Sequence, residues 1–189
     1  RGMTNLAPTH TVELIERCQR GDRRAFDQLV QQEQQRIYRL TLRIVQRRED
    51  VDDLVQEIFL LLYRKIGGFR FESRFSTWLT RLAINECRRV LRRRRFGRLL
   101  FGDGWEEQAV DRQRSTLRIL EREEEHRTLR EALSELPEKQ RLVVILRYFE
   151  EMSCEEVAAV LDCKIGTVRS RLFHARQRLK KAMLEYEQE

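Results

Sequence analysis

The chain has 189 residues, 37% of them charged and 41% hydrophobic, with two prolines and eight glycines. That suffices for one domain or two small ones, and so charged a composition points to small helical units with much surface. The net charge of +7 favours a polyanionic partner, and no apolar run approaches the roughly 20 residues that span a bilayer. With no signal-peptide core at its start, the protein is expected to be soluble and cytoplasmic. Charge is also unevenly placed. Arginines cluster at 88–95 and cations again at 164–181, while acids cluster at 49–57 and 121–125. Two separate basic surfaces suggest two contacts on a nucleic acid. Cys18, Cys87, Cys154 and Cys163 lack metal-ligand spacing, so they read as buried reduced thiols, and no cofactor or metal is expected.

Arg1 and Gly2 ahead of Met3 read as an addition to the natural chain, which leaves 1–10 as an N-terminal tail. Thr11 to Arg20 is a short helix with Val12, Leu14, Ile15 and Cys18 as its apolar set, closed by Gly21. Asp22 can cap the next helix, whose apolar positions Phe26, Leu29, Val30, Ile37, Tyr38, Leu40, Ile44 and Val45 carry it to about Gln46. Its middle, Gln31 to Arg36, is polar all round, which fits a solvated span or a surface that meets a partner. Glu49 to Ile66 is strongly amphipathic, with Val51, Leu54, Val55, Ile58, Phe59, Leu62 and Ile66 on one broad stripe. Its outward face holds Asp53, Gln56 and Glu57 around Leu60. An apolar anchor with a charged rim is how a small protein interface looks, and a solvated acidic face with one stray leucine fits as well.

Gly67 and Gly68 stop that helix, and FRFESRF, Phe69 to Phe75, follows as a loop. Rings interleaved with cations suit an unstacked strand, whose bases lie on rings while arginines meet phosphates; the same rings could plug the core. Ser76 can cap a helix running to Phe96, buried through Trp78, Leu79, Leu82, Ala83 and Ile84 and ending in Arg88, Arg89 and Arg92 to Arg95. A helix C-terminus needs one or two cations to complement its dipole, so this run reads as a DNA surface. Residues 11–95 form a first domain, and 96–125 lose periodicity and read as a linker.

The second domain, 126–189, opens with a helical pattern through Leu129, Ala132, Leu133 and Leu136 to Pro137, then a helix from Glu138 to Glu150. Ser153 with Glu156 makes a capping box, predicting a helix over Cys154 to Leu161. Asp162 to Lys164 make a turn, and a longer helix starts near Ile165 and passes Leu179, which is helix-turn-helix spacing. Val168, Leu172, Ala175 and Leu179 share its inward stripe, while Ser170, Phe173, His174 and Gln177 face out between Arg169 and Arg176 on one side and Arg171 and Arg178 on the other. Lys164 to Lys181 carry seven cations and no acid. Such a face suits a major groove, with phosphates at its edges and base edges at its centre.

These pieces, in this order, resemble a bacterial RNA polymerase sigma factor of the extracytoplasmic-function (ECF) group of the sigma-70 family. The matching stretches are GDRRAFDQLV (21–30), DDLVQEIFLLLYRKI (52–66), FRFESRFSTWLTRLAIN (69–85), LPEKQRLVVILRYFEEMSCEEVAAVL (136–161) and GTVRSRLFHARQRL (166–179). The resemblance implies an all-α fold of two small helical domains joined by a flexible linker, the first corresponding to sigma region 2 and the second to region 4. It implies that Asp53, Gln56, Glu57 and Leu60 bind core RNA polymerase at the beta-prime clamp helices, with the beta subunit also contacted. Phe69, Arg70, Phe71, Ser73, Phe75, Asn85, Arg88 and Arg92 would melt and hold the -10 element. Thr167, Arg169, Ser170, Arg171, Phe173, His174, Arg176 and Arg178 would read the -35 element. The linker would thread toward the RNA exit channel, and an anti-sigma factor, membrane-linked, would hold the protein inactive. Phe71 departs from the family, whose members often carry glycine there, and His174 stands at a commonly basic position.

No Ser/His/Asp, HExxH, phosphate-loop or paired-carboxylate pattern appears, so the protein is expected not to be an enzyme. The alternative is a helix-turn-helix transcriptional regulator that binds duplex DNA without polymerase. A single-strand or RNA-binding protein would use the aromatic loop but leave the helix-turn-helix unexplained.

Overall fold

The computed structural model describes residues 9–101 and 133–186. Among them are seven α-helices and no strand: α1 (Thr9–Gln19), α2 (Arg23–Val45), α3 (Val51–Lys65), α4 (Phe75–Phe101), α5 (Glu138–Val144), α6 (Cys154–Leu161) and α7 (Ile165–Tyr186). The first four pack on one another, and α5 and α6 pack against α7. No described helix is long and apolar enough to cross a membrane.

Local chemistry explains where these helices begin and end. Asp22 accepts a hydrogen bond from the Ala25 N–H at 3.1 Å and caps α2, while Arg17 grips the same carboxylate from α1. The Arg17 guanidinium first, and the Ala25 N–H second, hold the Asp22 carboxyl below the usual carboxylate range. Gly21, at φ +88°, makes the bend between the two helices, a conformation that glycine adopts without steric cost. The helix expected from Glu49 begins as a 3-10 turn over Arg48–Asp50 before α3 proper, and another 3-10 turn, Ile66–Gly68, ends it. The α3 stripe is buried through Val51, Leu54, Ile58, Phe59 and Leu62, each contributing about 1.5–3 kcal/mol of apolar burial.

Two boundaries differ from the sequence reading. Ser76 is not the cap of α4 but its second residue, because the helix already starts at Phe75 and the Trp78 N–H bonds to the Arg74 carbonyl at 3.1 Å. The far end of α4 runs to Phe101, into the stretch read as linker. The remainder of that stretch and the helical pattern of 126–132 lie outside the described residues, as does most of the N-terminal tail.

In the second unit the expected capping box is complete. The Glu156 N–H donates to Ser153 Oγ at 3.1 Å, and the Ser153 N–H donates to Glu156 Oε2 at 2.9 Å. Asp162 ends α6 at φ 52°, a left-handed turn that a short polar residue tolerates. α5 continues through a π-turn, Ile145–Phe149, with Ile145 and Leu146 buried. All four cysteines are free, but only Cys18 and Cys87 are buried; Cys154 and Cys163 are half-buried at the ends of α6. Burial pushes the Cys87 thiol up to about 12, so it is an inert core residue.

The polar middle of α2 is exposed at Gln31, Gln32 and Gln35 but engaged at Glu33 and Arg36. Arg36 donates to Glu33 at 2.7 Å, to Thr80 Oγ1 at 2.8 Å and to Glu150 of the second unit at 2.7 Å. Arg43, two turns on, lies 4.3 Å over the Phe149 ring. The two units therefore touch, and their apolar residues form one continuous cluster. Ser153→Ala removes half of the capping box and is expected to lower stability by about 1 kcal/mol in urea unfolding; an unchanged midpoint would show that the box contributes nothing.

Candidate functional site

Three surfaces of different chemistry stand on this frame. The first is an open groove of about 720 Å³ between α2 and α3. Leu60, 56% exposed, and Tyr63, 52% exposed, form one lip, and the half-buried Phe26, Val30 and Val55 form the floor. Gln56 lines it as well, and Asp53 is exposed on the same helix. The Phe26 and Tyr63 rings meet edge to face at 5.0 Å, which fixes the shape of the lip. Glu57 differs from its neighbours: Arg89 of α4 binds it at 2.5 Å and Glu86 at 2.7 Å. Glu86 first, then Glu57, hold the Arg89 guanidinium above its ordinary pKa. Glu57 is thus tied to its own fold, and Leu60 and Gln56 are the residues that open into the groove.

The second surface is the loop before α4. Gln19 of α1 donates to the carbonyls of Ile66 and Phe69, at 3.0 and 2.8 Å, and anchors its start. Phe69 and Phe75, 5% and 2% exposed, are core residues, which corrects the expectation that their rings face a melted strand. Both pack on Trp78, with ring centroids 5.1 and 6.0 Å apart, so neither can stack on a base without opening the core. What the loop exposes is different. Arg70 is exposed, Phe71 and Ser73 are half-exposed, and Asn85, Arg88 and Arg92 follow along α4. Phe71 stands at φ +58° with its ring 4.9 Å from Phe69. That left-handed conformation is the one glycine favours, which gives a physical reason for glycine at this position. The retained ring lies as a lid on the buried cluster.

The third surface is α7. Val168, Leu172 and Ala175 are buried and Leu179 half-buried, as the helical period requires. Ser170, Phe173, His174 and Gln177 face out; Phe173 is 59% exposed and meets the His174 ring edge to face at 5.5 Å. Arg169, Arg176 and Arg178 are exposed beside them, while Thr167 and Arg171 are half-buried. Arg176 has a partner that the sequence did not suggest. Its Nε donates to the Tyr148 hydroxyl at 2.8 Å, and Tyr148 is itself 47% exposed at the end of α5. Helical periodicity places a residue on a face but does not pair faces of different helices, so only the fold reveals Tyr148. Phe26, Val30 and Tyr38 were named only as apolar positions of α2 for the same reason: groove-facing and core-facing positions share one stripe.

Comparison with known proteins now bears on these surfaces. Residues 29–96 match the family described as "Sigma-70 region 2", and residues 126–179 match "Sigma-70, region 4". The RNA polymerase sigma-H factor of Pseudomonas aeruginosa is 40% identical over 182 residues, covering 90% of this chain and 92% of that protein. The chain belongs to the sigma-70 family. Within it, the ECF RNA polymerase sigma-E factor of Escherichia coli K12 is 37% identical over 173 residues, covering 87% of this chain and 89% of its own length. Among solved structures, CnrH in complex with the cytosolic domain of CnrY aligns with a TM-score of 0.68 at 26% identity, over 94% of this chain and 98% of that one. The sigma factor RpoE of Bartonella quintana, solved with the anti-sigma factor NepR, also gives 0.68, at 25% identity, over 84% and 96%. This is an ECF-type sigma factor, and the named relatives are RNA polymerase sigma factors. The groove and the aromatic loop lie mostly in the region 2 match, and the basic face of α7 in the region 4 match.

Two expectations test these geometries. At Phe71, replacement by glycine should leave the sigma factor more stable than replacement by alanine, by roughly 1 kcal/mol, because only glycine relieves the positive φ. The usual order, alanine above glycine in thermal unfolding, would deny the strain. Tyr148→Phe frees Arg176 and should weaken duplex binding roughly 2- to 10-fold in fluorescence anisotropy; equal affinity would show that the hydroxyl does not position the guanidinium.

Proposed function

We propose that this sigma factor directs core RNA polymerase to promoters by using the three surfaces in turn. The groove between α2 and α3, lined by Leu60 and Gln56, takes the beta-prime clamp helices together with the exposed Asp53 of the same helix; an apolar trough with a polar rim suits an amphipathic helix. The beta subunit is a further contact. The loop around Arg70, Phe71 and Ser73, with Asn85, Arg88 and Arg92, holds the melted -10 strand. Phe69 and Phe75 support it from beneath. The outward face of α7 enters the major groove of the -35 element, where Thr167, Arg169, Ser170, Arg171, Phe173, His174, Arg176 and Arg178 supply phosphate and base contacts. Chemistry on nucleotides stays with the polymerase, in the cytoplasm.

The observation that carries this reading is the large exposed Phe173 ring among surface arginines on a helix whose opposite stripe is buried through Val168, Leu172 and Ala175. In a major groove such a ring can meet a thymine methyl while the arginines beside it meet phosphates. An anti-sigma factor belongs to the same proposal, because the neighbours CnrH and RpoE were solved with CnrY and NepR. The naming of a cytosolic domain of CnrY supports a membrane-linked regulator.

Run-off transcription with purified core polymerase and a promoter library is the test. Added protein should start transcripts from a defined promoter class, and no transcript from any template would contradict the proposal. Arg169→Ala or Arg171→Ala should lose about 1–3 kcal/mol at promoters bearing the upstream element if a base contact is removed. Equal loss on every DNA would reduce these residues to phosphate contacts. Asp53→Lys with Leu60→Ala should abolish co-elution with core polymerase at unchanged helix content, leaving the Glu57–Arg89 pair intact; retained co-elution would place the polymerase elsewhere.

A further inference from the structure

The basic face of α7 has a neighbour on another helix. Tyr148 stands in the π-turn that continues α5, and its side chain reaches the α7 arginines. Leu142 to Leu146 are buried one after another, so α5 enters the core on several faces. At 3.6 residues per turn Tyr148 would stand over Val144 and Ile145, both buried, and would follow them inward. The turn is wider instead: the Glu150 N–H bonds to the Ile145 carbonyl, five residues back, at 3.2 Å. The extra residue carries Tyr148 out of the buried stripe, and it ends 47% exposed against α7.

At the tip of this ring the donors and acceptors are unevenly matched. A phenol oxygen has two lone pairs and one proton. Arg176 Nε donates to it at 2.8 Å and Arg176 Nη2 donates to it as well, so one guanidinium occupies both lone pairs. The same cation lies 5.7 Å from the ring centroid, which keeps the two side chains together. The hydroxyl proton is left over, and among the described residues nothing accepts it. An oxygen that receives two charge-assisted bonds is polarised toward giving its own hydrogen to an acceptor. Arg176 also keeps N–H groups beyond the two used on Tyr148, since a guanidinium carries five. O–H and N–H donors therefore stand at one exposed spot beside a cation, and α7 has no acid between Lys164 and Lys181 to repel an anion there. The spot lies at the edge of the outward face, on the side of Arg169 and Arg176, where a docked duplex presents backbone rather than base edges.

We propose that Tyr148 is itself a DNA-contacting residue: its hydroxyl donates to a backbone phosphate of the upstream element, and Arg176 grips the same phosphate while holding the hydroxyl in place. This deepens the assignment of α7 to duplex DNA and rests on it. A contact from the end of α5 also fixes how α7 is turned in its groove, because the phosphate is then held from outside the helix that reads the bases. A residue that only oriented Arg176 would do neither, and the two roles separate once Arg176 is removed.

The experiment uses holoenzyme, formed from the full chain and core polymerase, on a labelled promoter duplex taken from the run-off library. Single phosphates of the upstream element are replaced in turn by uncharged methylphosphonates. Affinity is read by competition fluorescence anisotropy for wild type, Tyr148→Phe, Arg176→Ala and the double variant. Tyr148→Phe removes one exposed oxygen and leaves the ring, so the fold is not at stake. It should weaken binding roughly 3- to 10-fold, and the wild-type penalty for neutralising one particular linkage should shrink in it. In the Arg176→Ala background Tyr148→Phe should still cost about 2-fold or more and should erase the remaining penalty at that linkage. Equal affinity of Arg176→Ala and the double variant at every linkage would reduce Tyr148 to a support for Arg176 and overturn the proposal. A loss spread evenly over all linkages would overturn it too, since no phosphate would then be held by Tyr148. Wild-type holoenzyme that binds equally well with and without the upstream element would instead count against the assignment of α7 to duplex DNA, and this contact would fall with it.

Discussion

The helical repeat sorts this chain's charges, and every surface described depends on that sorting. At about 100° per residue an apolar stripe cannot be buried without turning the intervening residues outward. Along α7, burial of Val168, Leu172 and Ala175 forces Ser170, Phe173 and His174 to the surface with arginines beside them. Along α3, burial of Leu54, Ile58 and Leu62 forces out Asp53, Glu57 and Leu60. The core energy that folds each helix thus also presents its outward face. No separate device is needed to build an acidic, partly apolar surface in one place and a basic one in another.

Pairing then refines what sorting provides. Glu57 and Arg89 satisfy each other across α3 and α4, which removes one acid from the groove rim and one cation from the α4 surface. Tyr148 does the same for Arg176, but in a way that keeps the guanidinium exposed and oriented. Exposed pairs of this kind add little to stability, and their value lies in fixing direction. Arg36 with Glu150 is the exception, because the carboxylate is desolvated and breaking such a pair leaves a buried charge uncompensated. This ionic contact joins the two halves of the fold.

Much of this was legible in the amino-acid pattern, for reasons that separate local from non-local physics. The capping box at Ser153, the turn at Asp162 and the bounds of α6 follow from neighbours a few residues apart, and the structure reproduces them. So do the Asp22 cap and the buried stripe of α7. What escaped were facts settled between distant segments. Ser76 looked like a cap because its chemistry fits, yet the helix starts two residues earlier and buries Phe75. Phe69 and Phe75 looked like base platforms because aromatic and basic residues alternate, and their burial against Trp78 depends on where α4 lands. The role of the α2 middle was undecidable from its own residues, since Glu150 lies 114 positions away.

Side-chain footprinting by hydroxyl radicals, on the chain alone, bound to core polymerase, and bound to polymerase with promoter DNA, tests the central claim most directly. If each face sorted outward by the helical repeat meets its own partner, polymerase alone should protect Leu60 and Tyr63 and leave Phe173 and His174 reactive. Promoter DNA should then protect Phe173, His174 and Phe71. Protection of Phe173 and His174 by polymerase alone, with nothing further on adding DNA, would contradict the assignment of that face to duplex.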